Sequence, residues 1–81
     1  IEDVALTGFD ARLCRVLLRL ADGTGRVEAT HGALAAETAS GRAFVSRRLA
    51  ELVRQGLVEQ HRGGVVILDR AGLERIAAEE R

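Results

Sequence analysis

The sequence predicts a small, mainly α-helical domain that includes a β-hairpin, and three observations support this fold class. Apolar residues recur at helical spacing in the first two thirds of the chain. Two short runs rich in β-branched residues then flank a pair of glycines. The chain has 81 residues, of which 47% are hydrophobic and 30% charged, as is typical of one globular core. We therefore expect residues 1–81 to form a single domain.

The first predicted helix covers residues 7–20. Its apolar residues fall at offsets of 0, 4, 7, 8 and 11 and are Phe9, Leu13, Val16, Leu17 and Leu20. Thr7 with Asp10 three residues later resembles a capping box, which predicts that the helix starts there. The glycine-rich segment 21–25 can adopt the positive φ angles of a C-cap and turn, so it is expected to end the helix. Residues 26–29 are predicted to be a short extended segment.

Two further helices are predicted on either side of a tight turn. Thr30 can cap a helix that runs to about Glu37. The inward positions of this helix are Leu34, Ala35 and Thr38. After residues 39–41 a third helix runs to about Gln55, with Gly56 as its C-cap. The inward positions of the third helix are Val45, Leu49, Leu52 and Val53.

A β-hairpin and a last helix complete the predicted order. Residues 57–61 and 65–68 are the two β-branched runs, and Gly63-Gly64 between them indicates a tight turn. A glycine pair fits several turns, so the register stays open by one residue. Asp69 can cap a final helix. The inward positions of that helix are Leu73, Ile76 and Ala77. The order helix, helix, tight turn, helix, hairpin predicts a winged helix-turn-helix.

The charges of the third helix favour a nucleic-acid partner, although the whole chain is neutral. Twelve basic residues, all of them arginine, balance twelve acidic ones, so no global field would draw the chain to DNA or to a membrane. Residues 42–55 carry four arginines and one glutamate, which gives them a net charge of +3. Arg42, Ser46 and Arg47 share one side of the first two turns, where a recognition helix meets base edges in the major groove. A solvated helix face without a ligand is the alternative.

Three stretches of sequence carry a family resemblance. They are residues 30–52 (Thr-His-Gly-Ala-Leu-Ala-Ala-Glu-Thr-Ala-Ser-Gly-Arg-Ala-Phe-Val-Ser-Arg-Arg-Leu-Ala-Glu-Leu), 55–58 (Gln-Gly-Leu-Val) and 66–69 (Val-Ile-Leu-Asp). Together they resemble the DNA-binding domain of the Crp/Fnr family of bacterial transcription regulators, whose recognition helix opens Ser-Arg-Glu-Thr-Val-Ser-Arg. Here the matching run is Gly-Arg-Ala-Phe-Val-Ser-Arg at 41–47. The resemblance implies that Arg42 and Arg47 read guanines or hold phosphates.

Three departures from the family pattern carry expectations of their own. Ala43 stands where the family commonly has a glutamate that accepts from cytosine N4. Alanine can offer only apolar contact, for instance to a thymine methyl group, so a different half-site is expected. Phe44 replaces a threonine and is expected to pack on the second helix. Ala39 takes the place of the usual turn glycine, and a left-handed conformation there would cost ~1 to 2 kcal/mol.

The hairpin and the turn add further candidates for DNA contact. His61 and Arg62 at the hairpin tip resemble the family's phosphate-touching wing residues, and His31 resembles a polar position at the start of the second helix. Arg62 is expected to touch a phosphate, because the tip lies beside the recognition helix. Either histidine could instead be an exposed loop residue with no partner. The full predicted DNA-binding set is Arg42, Ala43, Ser46, Arg47, His31, Ser40, His61 and Arg62.

Other activities find little support in the sequence. Gly23 and Gly25 lack the third glycine and the preceding strand of a dinucleotide-binding motif. Cys14 is expected to be a small packing residue rather than a nucleophile. We predict no enzymatic activity, no metal and no cofactor in these residues. No apolar run approaches the ~20 residues of a membrane span, and a single cysteine fits a reducing cytoplasm.

The resemblance also implies partners outside these residues. Position 1 is Ile rather than Met, so we expect an excised part of a longer protein. The family implies an N-terminal sensor domain for a cyclic-nucleotide-type effector, a dimerisation helix, and a homodimer that binds palindromic double-stranded DNA. The alternative is a winged helix used as a protein-interaction or dimerisation module. A net charge of zero and the missing glutamate favour that alternative slightly, whereas Arg42 and Arg47 favour DNA.

Overall fold

The computed structural model describes the backbone of residues 2–79 and the side chains of residues 8–79. Four helices and three short strands follow one another along this part of the chain. In order they are α1 (Glu2–Leu20), β1 (Arg26–Val27), α2 (His31–Thr38), α3 (Arg42–Arg54), β2 (Val58–His61), β3 (Gly64–Ile67) and α4 (Arg70–Ala77). The predicted winged helix-turn-helix is confirmed. None of the helices in residues 2–79 is long and apolar enough to span a membrane.

Helix α1 begins at Glu2, not at Thr7 as the sequence pattern predicted. The residues before Thr7 include the strong helix formers Ala5 and Leu6, so the helix continues toward the N-terminus. The predicted capping box was therefore wrong. Asp10 instead lies inside the helix and contacts α3, where it forms an ion pair described below.

The loop after α1 is organised by the Asp22 carboxylate. Asp22 Oδ1 accepts hydrogen bonds from the backbone N–H of Thr24 at 2.8 Å and from that of Arg26 at 3.0 Å. The Thr24 hydroxyl also donates to it, at 2.6 Å. These hydrogen bonds lower the pKa of Asp22 because they favour the charged carboxylate, and the bond from the Thr24 side chain has the largest effect. The loop thus delivers the chain to β1 in a defined conformation.

The helix-turn-helix is formed by α2, the short connection 39–41 and α3. As predicted, Thr30 caps α2, and its hydroxyl accepts from the Ala33 N–H at 3.1 Å. The helix ends in a Schellman motif, in which the Ser40 N–H donates to the Ala35 carbonyl at 2.9 Å. Ala39, which takes the place of the usual turn glycine, adopts the left-handed conformation, with φ 55° and ψ 44°. This reversal turns the chain directly into α3.

The sheet has three antiparallel strands in the order β1-β3-β2. His61 pairs with Gly64, so the hairpin loop consists of Arg62 and Gly63, and Gly64 belongs to β3. The turn therefore lies one residue earlier than the predicted Gly63-Gly64 pair, a shift that the sequence left open. Strand β1 is shorter than the predicted extended segment 26–29 and pairs with β3. A Cβ at Gly64 would collide with the Val27 carbonyl, so only glycine lets β1 approach.

The core lies between the four helices and the sheet. Its fully buried large side chains are Leu13, Leu17, Leu34, Leu49, Leu73, Val27, Val45, Val58 and Val65. Val53 was predicted to face inward, but it is 37% exposed, because the helical repeat places it at the margin of the apolar stripe rather than at its centre. Asp69 caps α4 as predicted, accepting from the Gly72 N–H at 3.0 Å. Ile76 and Ala77 are only partly buried against this core.

Candidate nucleic-acid interface

The outer face of α3 carries the central part of the predicted site. Val45, Leu49 and Leu52 anchor the helix in the core. Arg42, Ala43 and Arg47 are consequently exposed, and Ser46 is half-buried beside them. The helical spacing of these four residues places them together on the first two turns, as the sequence predicted.

The positive charge of α3 is smaller at its surface than the sequence count suggests. Arg48 binds Asp10 of α1 through two hydrogen bonds, with Nε 3.0 Å from Oδ1 and Nη2 2.8 Å from Oδ2. The Arg48 and Asp10 side chains are only 24% and 21% exposed, so this pair is a structural tie between the helices. The hydrogen bond to Asp10 raises the pKa of Arg48. Arg54 pairs with Glu51 at 2.8 Å. Arg48 is thus withdrawn from the surface, whereas Arg54 stays 76% exposed in a weak surface ion pair and still adds to the positive charge there.

Neither Arg42 nor Arg47 forms an ion pair with any of the residues whose side chains are described. The Arg47 guanidinium lies 5.9 Å from the centre of the Phe44 ring, over its face. Phe44 in turn packs against Phe9 of α1, with ring centroids 4.6 Å apart and planes inclined by 56°. Phe44 thus has its aromatic contact on α1 and also packs against the core cluster, which includes Leu34 of α2. The Arg47 guanidinium therefore lies on an aromatic ring that Phe9 holds in place.

His31 connects the recognition helix to the wing. Its Nδ1 lies 2.6 Å from Ser46 Oγ on α3, and its Nε2 lies 2.6 Å from Gln60 Oε1 on β2. The interpretation of His31 as an exposed residue without a partner is thus wrong. Gln60 was not predicted, because no local pattern marks a strand residue that meets a histidine 29 positions earlier. The three side chains form one hydrogen-bonded group, which we call the His31 bridge.

The predicted wing residues differ in their surroundings. Arg62 is exposed at the hairpin tip, as expected of a phosphate contact, and forms no ion pair within the described part of the chain. His61 folds back onto the wing instead. Its Nδ1 donates to the Arg62 carbonyl at 3.0 Å, and Arg26 Nη2 lies 3.4 Å from the same nitrogen. His61 Nε2 is buried and has no hydrogen-bond partner among the described residues. His61 is therefore less available to DNA than Arg62.

Ser40 is also engaged within the protein. Its hydroxyl donates to the Thr38 carbonyl at 3.1 Å, and Arg12 Nη2 lies 3.5 Å from the same oxygen. Ser40 is half-buried in the turn that precedes α3. The structure therefore brings Arg42, Ala43, Ser46 and Arg47 together on one face, links His31 to them, and gives Ser40 a role in the turn.

Comparison with protein families matches residues 11–76 to the Crp-like helix-turn-helix domain. No curated protein matches the chain. Among solved structures, a CRP-family transcriptional regulator from Thermus thermophilus is 39% identical with a TM-score of 0.79. A CRP/FNR-family transcriptional regulator from the same organism is 30% identical with a TM-score of 0.80. The catabolite activator protein of Thermus thermophilus is 33% identical with a TM-score of 0.74.

In each of these three comparisons 89% of this chain is covered. The chain spans only 41% of the length of the first two regulators and 33% of the third. The family match over residues 11–76 includes α2, the left-handed turn and α3, and thus the helix that carries Arg42 and Arg47. From the family match and the level of identity together, we conclude that the chain belongs to the Crp/Fnr family of transcription regulators and comprises its DNA-binding helix-turn-helix domain.

Proposed function

We propose that this domain recognises a specific double-stranded DNA sequence by placing α3 in the major groove. The observation that carries the proposal is the exposed pair Arg42 and Arg47, which share one face of α3 and have no acidic partner among the described side chains. A guanidinium can donate two hydrogen bonds to guanine O6 and N7 or to a phosphate. Two such arginines on the recognition helix suit that task.

The surroundings of each residue suggest a division of roles. Arg47 and Ser46, one and a half turns into α3, read base edges. Ala43 contacts an apolar group such as a thymine methyl. Arg42 at the start of α3 and Arg62 at the wing tip hold phosphates and so set the register of the protein on the duplex. The proposal assigns no catalytic step, cofactor or metal to these residues.

A protein-interaction or dimerisation module is the second candidate function. The net charge of zero favours it, as does the pairing of Arg48 and Arg54 with acidic neighbours. Salt distinguishes the two functions. Contact with about five phosphates predicts that log affinity falls against log salt with a slope near −0.9 for each phosphate. A salt-independent partner interaction would support the second candidate.

The sharpest test compares three arginine variants on a selected duplex and on a scrambled one. Arg47→Ala should reduce the preference for the selected site, with a loss of ~1 to 3 kcal/mol on that site alone. Arg62→Ala should weaken both duplexes equally and reduce the salt slope by about 1. Arg54→Ala is the matched control, since Arg54 lies on the same helix but is paired with Glu51. Equal losses for Arg47→Ala on both duplexes would refute the division of roles.

At the level of the whole protein, we propose a homodimer that binds a palindromic site in the cytoplasm. The regulators to which the chain is similar are more than twice its length. A cyclic-nucleotide-type effector on a further domain rests on the family resemblance alone. Because one module of this size buries only ~600 to 1,000 Å² on DNA, the domain by itself should bind weakly. Affinity that rises steeply on artificial dimerisation would support this arrangement.

A further inference from the structure

We propose that His31 determines which base edge Ser46 can read, by fixing the direction of the Ser46 hydroxyl. The inference rests on the proposed DNA recognition and adds a positioning residue to it. It starts from the His31 bridge, in which one imidazole ring contacts a recognition-helix hydroxyl and a wing amide, each at 2.6 Å. His31 itself is half-buried between the two elements.

The partners of the ring determine where its proton lies. Gln60 presents its carbonyl oxygen Oε1 to Nε2. That oxygen can only accept, so Nε2 carries the proton and donates it. A neutral imidazole has one ring proton, which leaves Nδ1 as an acceptor. At 2.6 Å from Nδ1, the Ser46 hydroxyl is then the donor of the second hydrogen bond.

This arrangement changes what Ser46 offers to DNA. A serine hydroxyl that is free to rotate can donate or accept, and so it discriminates poorly between base edges. With its proton held by His31, Ser46 presents only the lone pairs of Oγ outward. In the major groove it can then accept from adenine N6 or cytosine N4, whereas guanine O6 and N7 and thymine O4 are themselves acceptors. The bridge therefore converts an unselective contact into one that selects amino groups.

The bridge also links this selection to the wing. Gln60 lies on β2 and Ser46 on α3, so the hydrogen bonds hold the two DNA-facing elements in one relative position. A purely mechanical link would predict that loss of His31 weakens binding to every sequence. The proposed role predicts a change confined to one base pair, which separates the two explanations.

The test is competition binding to duplexes in which the base pair facing Ser46 takes all four orientations. That pair is identified as the one whose preference is reduced most by Ser46→Ala. In the unmodified protein, pairs that place adenine or cytosine on the contacted strand should bind roughly three- to tenfold more tightly than the reversed pairs. His31→Phe keeps a ring but removes both hydrogen bonds, so this ratio should fall below about twofold.

A second variant keeps the imidazole and changes only its proton. Gln60→Lys replaces the acceptor opposite Nε2 by a group that can only donate, so Nε2 becomes the acceptor, the ring proton moves to Nδ1 and donates to Ser46, and the Ser46 hydroxyl becomes free. The preference should therefore be lost although His31 is present, and the result stands even if His31→Phe does not fold. Gln55→Lys is the matched control, because it adds the same charge but Gln55 bonds to Glu51 at the far end of α3 and not to His31.

The last part of the experiment is a double variant made in the Ser46→Ala protein. Adding His31→Phe to it should change no base preference further, because His31 acts through Ser46. The proposal is overturned if the preferred pairs place guanine or thymine on the contacted strand, or if Ser46→Ala alters no preference. It is also overturned if either bridge variant lowers all affinities equally. A protein that distinguishes no sequence from scrambled DNA would instead refute the proposed function, and the role of His31 with it.

Discussion

Replacing Ala39 by glycine should stabilise the protein, because Ala39 ends α2 in the left-handed conformation with φ 55°. The other residues with positive φ in the described part of the chain are all glycines. For a residue with a Cβ this conformation costs roughly 1 to 2 kcal/mol. Ala39 is exposed, so removal of its methyl group sacrifices little packing. Glycine is more flexible in the unfolded chain, which offsets about 0.4 to 1 kcal/mol of the gain.

With mid-range values, about 1.5 kcal/mol of relief less about 0.7 kcal/mol of offset, the net stabilisation is about 0.8 kcal/mol. For a domain of this size such a change raises the melting temperature by roughly 2 to 8 °C. Thermal unfolding followed by circular dichroism, with urea unfolding at about 25 °C as a check, would measure it. Ala36→Gly is the matched control, since Ala36 is exposed inside the same helix. There glycine should destabilise the protein by about 0.5 to 1 kcal/mol.

Opposite signs for these two alanine-to-glycine changes are the expected result. If Ala39→Gly lowers the melting temperature as much as Ala36→Gly does, then Ala39 does not adopt the left-handed conformation. The Schellman turn would then be wrong, and so would the angle at which α3 leaves α2. That outcome would remove the geometric basis for the orientation of α3, and hence for the exposed position of Arg42 and Arg47.

Three further predictions concern a glycine, a thiol and a base contact. Gly64→Ala should lower the free energy of unfolding in urea by ~1 to 3 kcal/mol, because its Cβ would collide with the Val27 carbonyl. Gly23→Ala is the control and should change it by less than about 0.5 kcal/mol, since no atom lies near that Cβ. Equal urea midpoints for the two variants would contradict this. Cys14 is buried, and burial raises the pKa of its thiol to about 12. At about pH 8 the thiol should therefore resist a disulfide reagent until urea unfolds the chain. Rapid labelling of the folded protein would show that the core is open. Ala43→Glu should shift the selected half-site toward cytosine at one position, because a carboxylate accepts from cytosine N4. The melting temperature should change little, because position 43 is exposed. An unchanged selected site would mean that Ala43 does not face the bases.

Much of the fold follows from interactions between residues that are close in sequence. The apolar spacing of α3 predicts its buried face because a helix repeats every 3.6 residues whatever it packs against. Thr30 and Asp69 cap helices through N–H groups only three residues away. Ala39 was recognisable as the residue in the place of the usual turn glycine, whereas its left-handed conformation is seen only in the structure. Arg42, Ala43, Ser46 and Arg47 could be assigned to one face on the same local grounds.

Contacts between distant parts of the chain decided the remainder. Arg48 contributes to the positive charge counted along α3, but the fold brings it to Asp10, 38 residues earlier. Val53 lies at the margin of the apolar stripe of α3, and its side chain lies partly outside the core. His31 meets Gln60 only because the hairpin folds back beside α2 and α3. Sequence spacing determines which residues share a helix face, whereas the packing angles of helices and sheet determine which faces meet. Those angles arise from the whole core at once, so only the tertiary structure could identify the partner of Arg48 and the bridge from His31 to the wing.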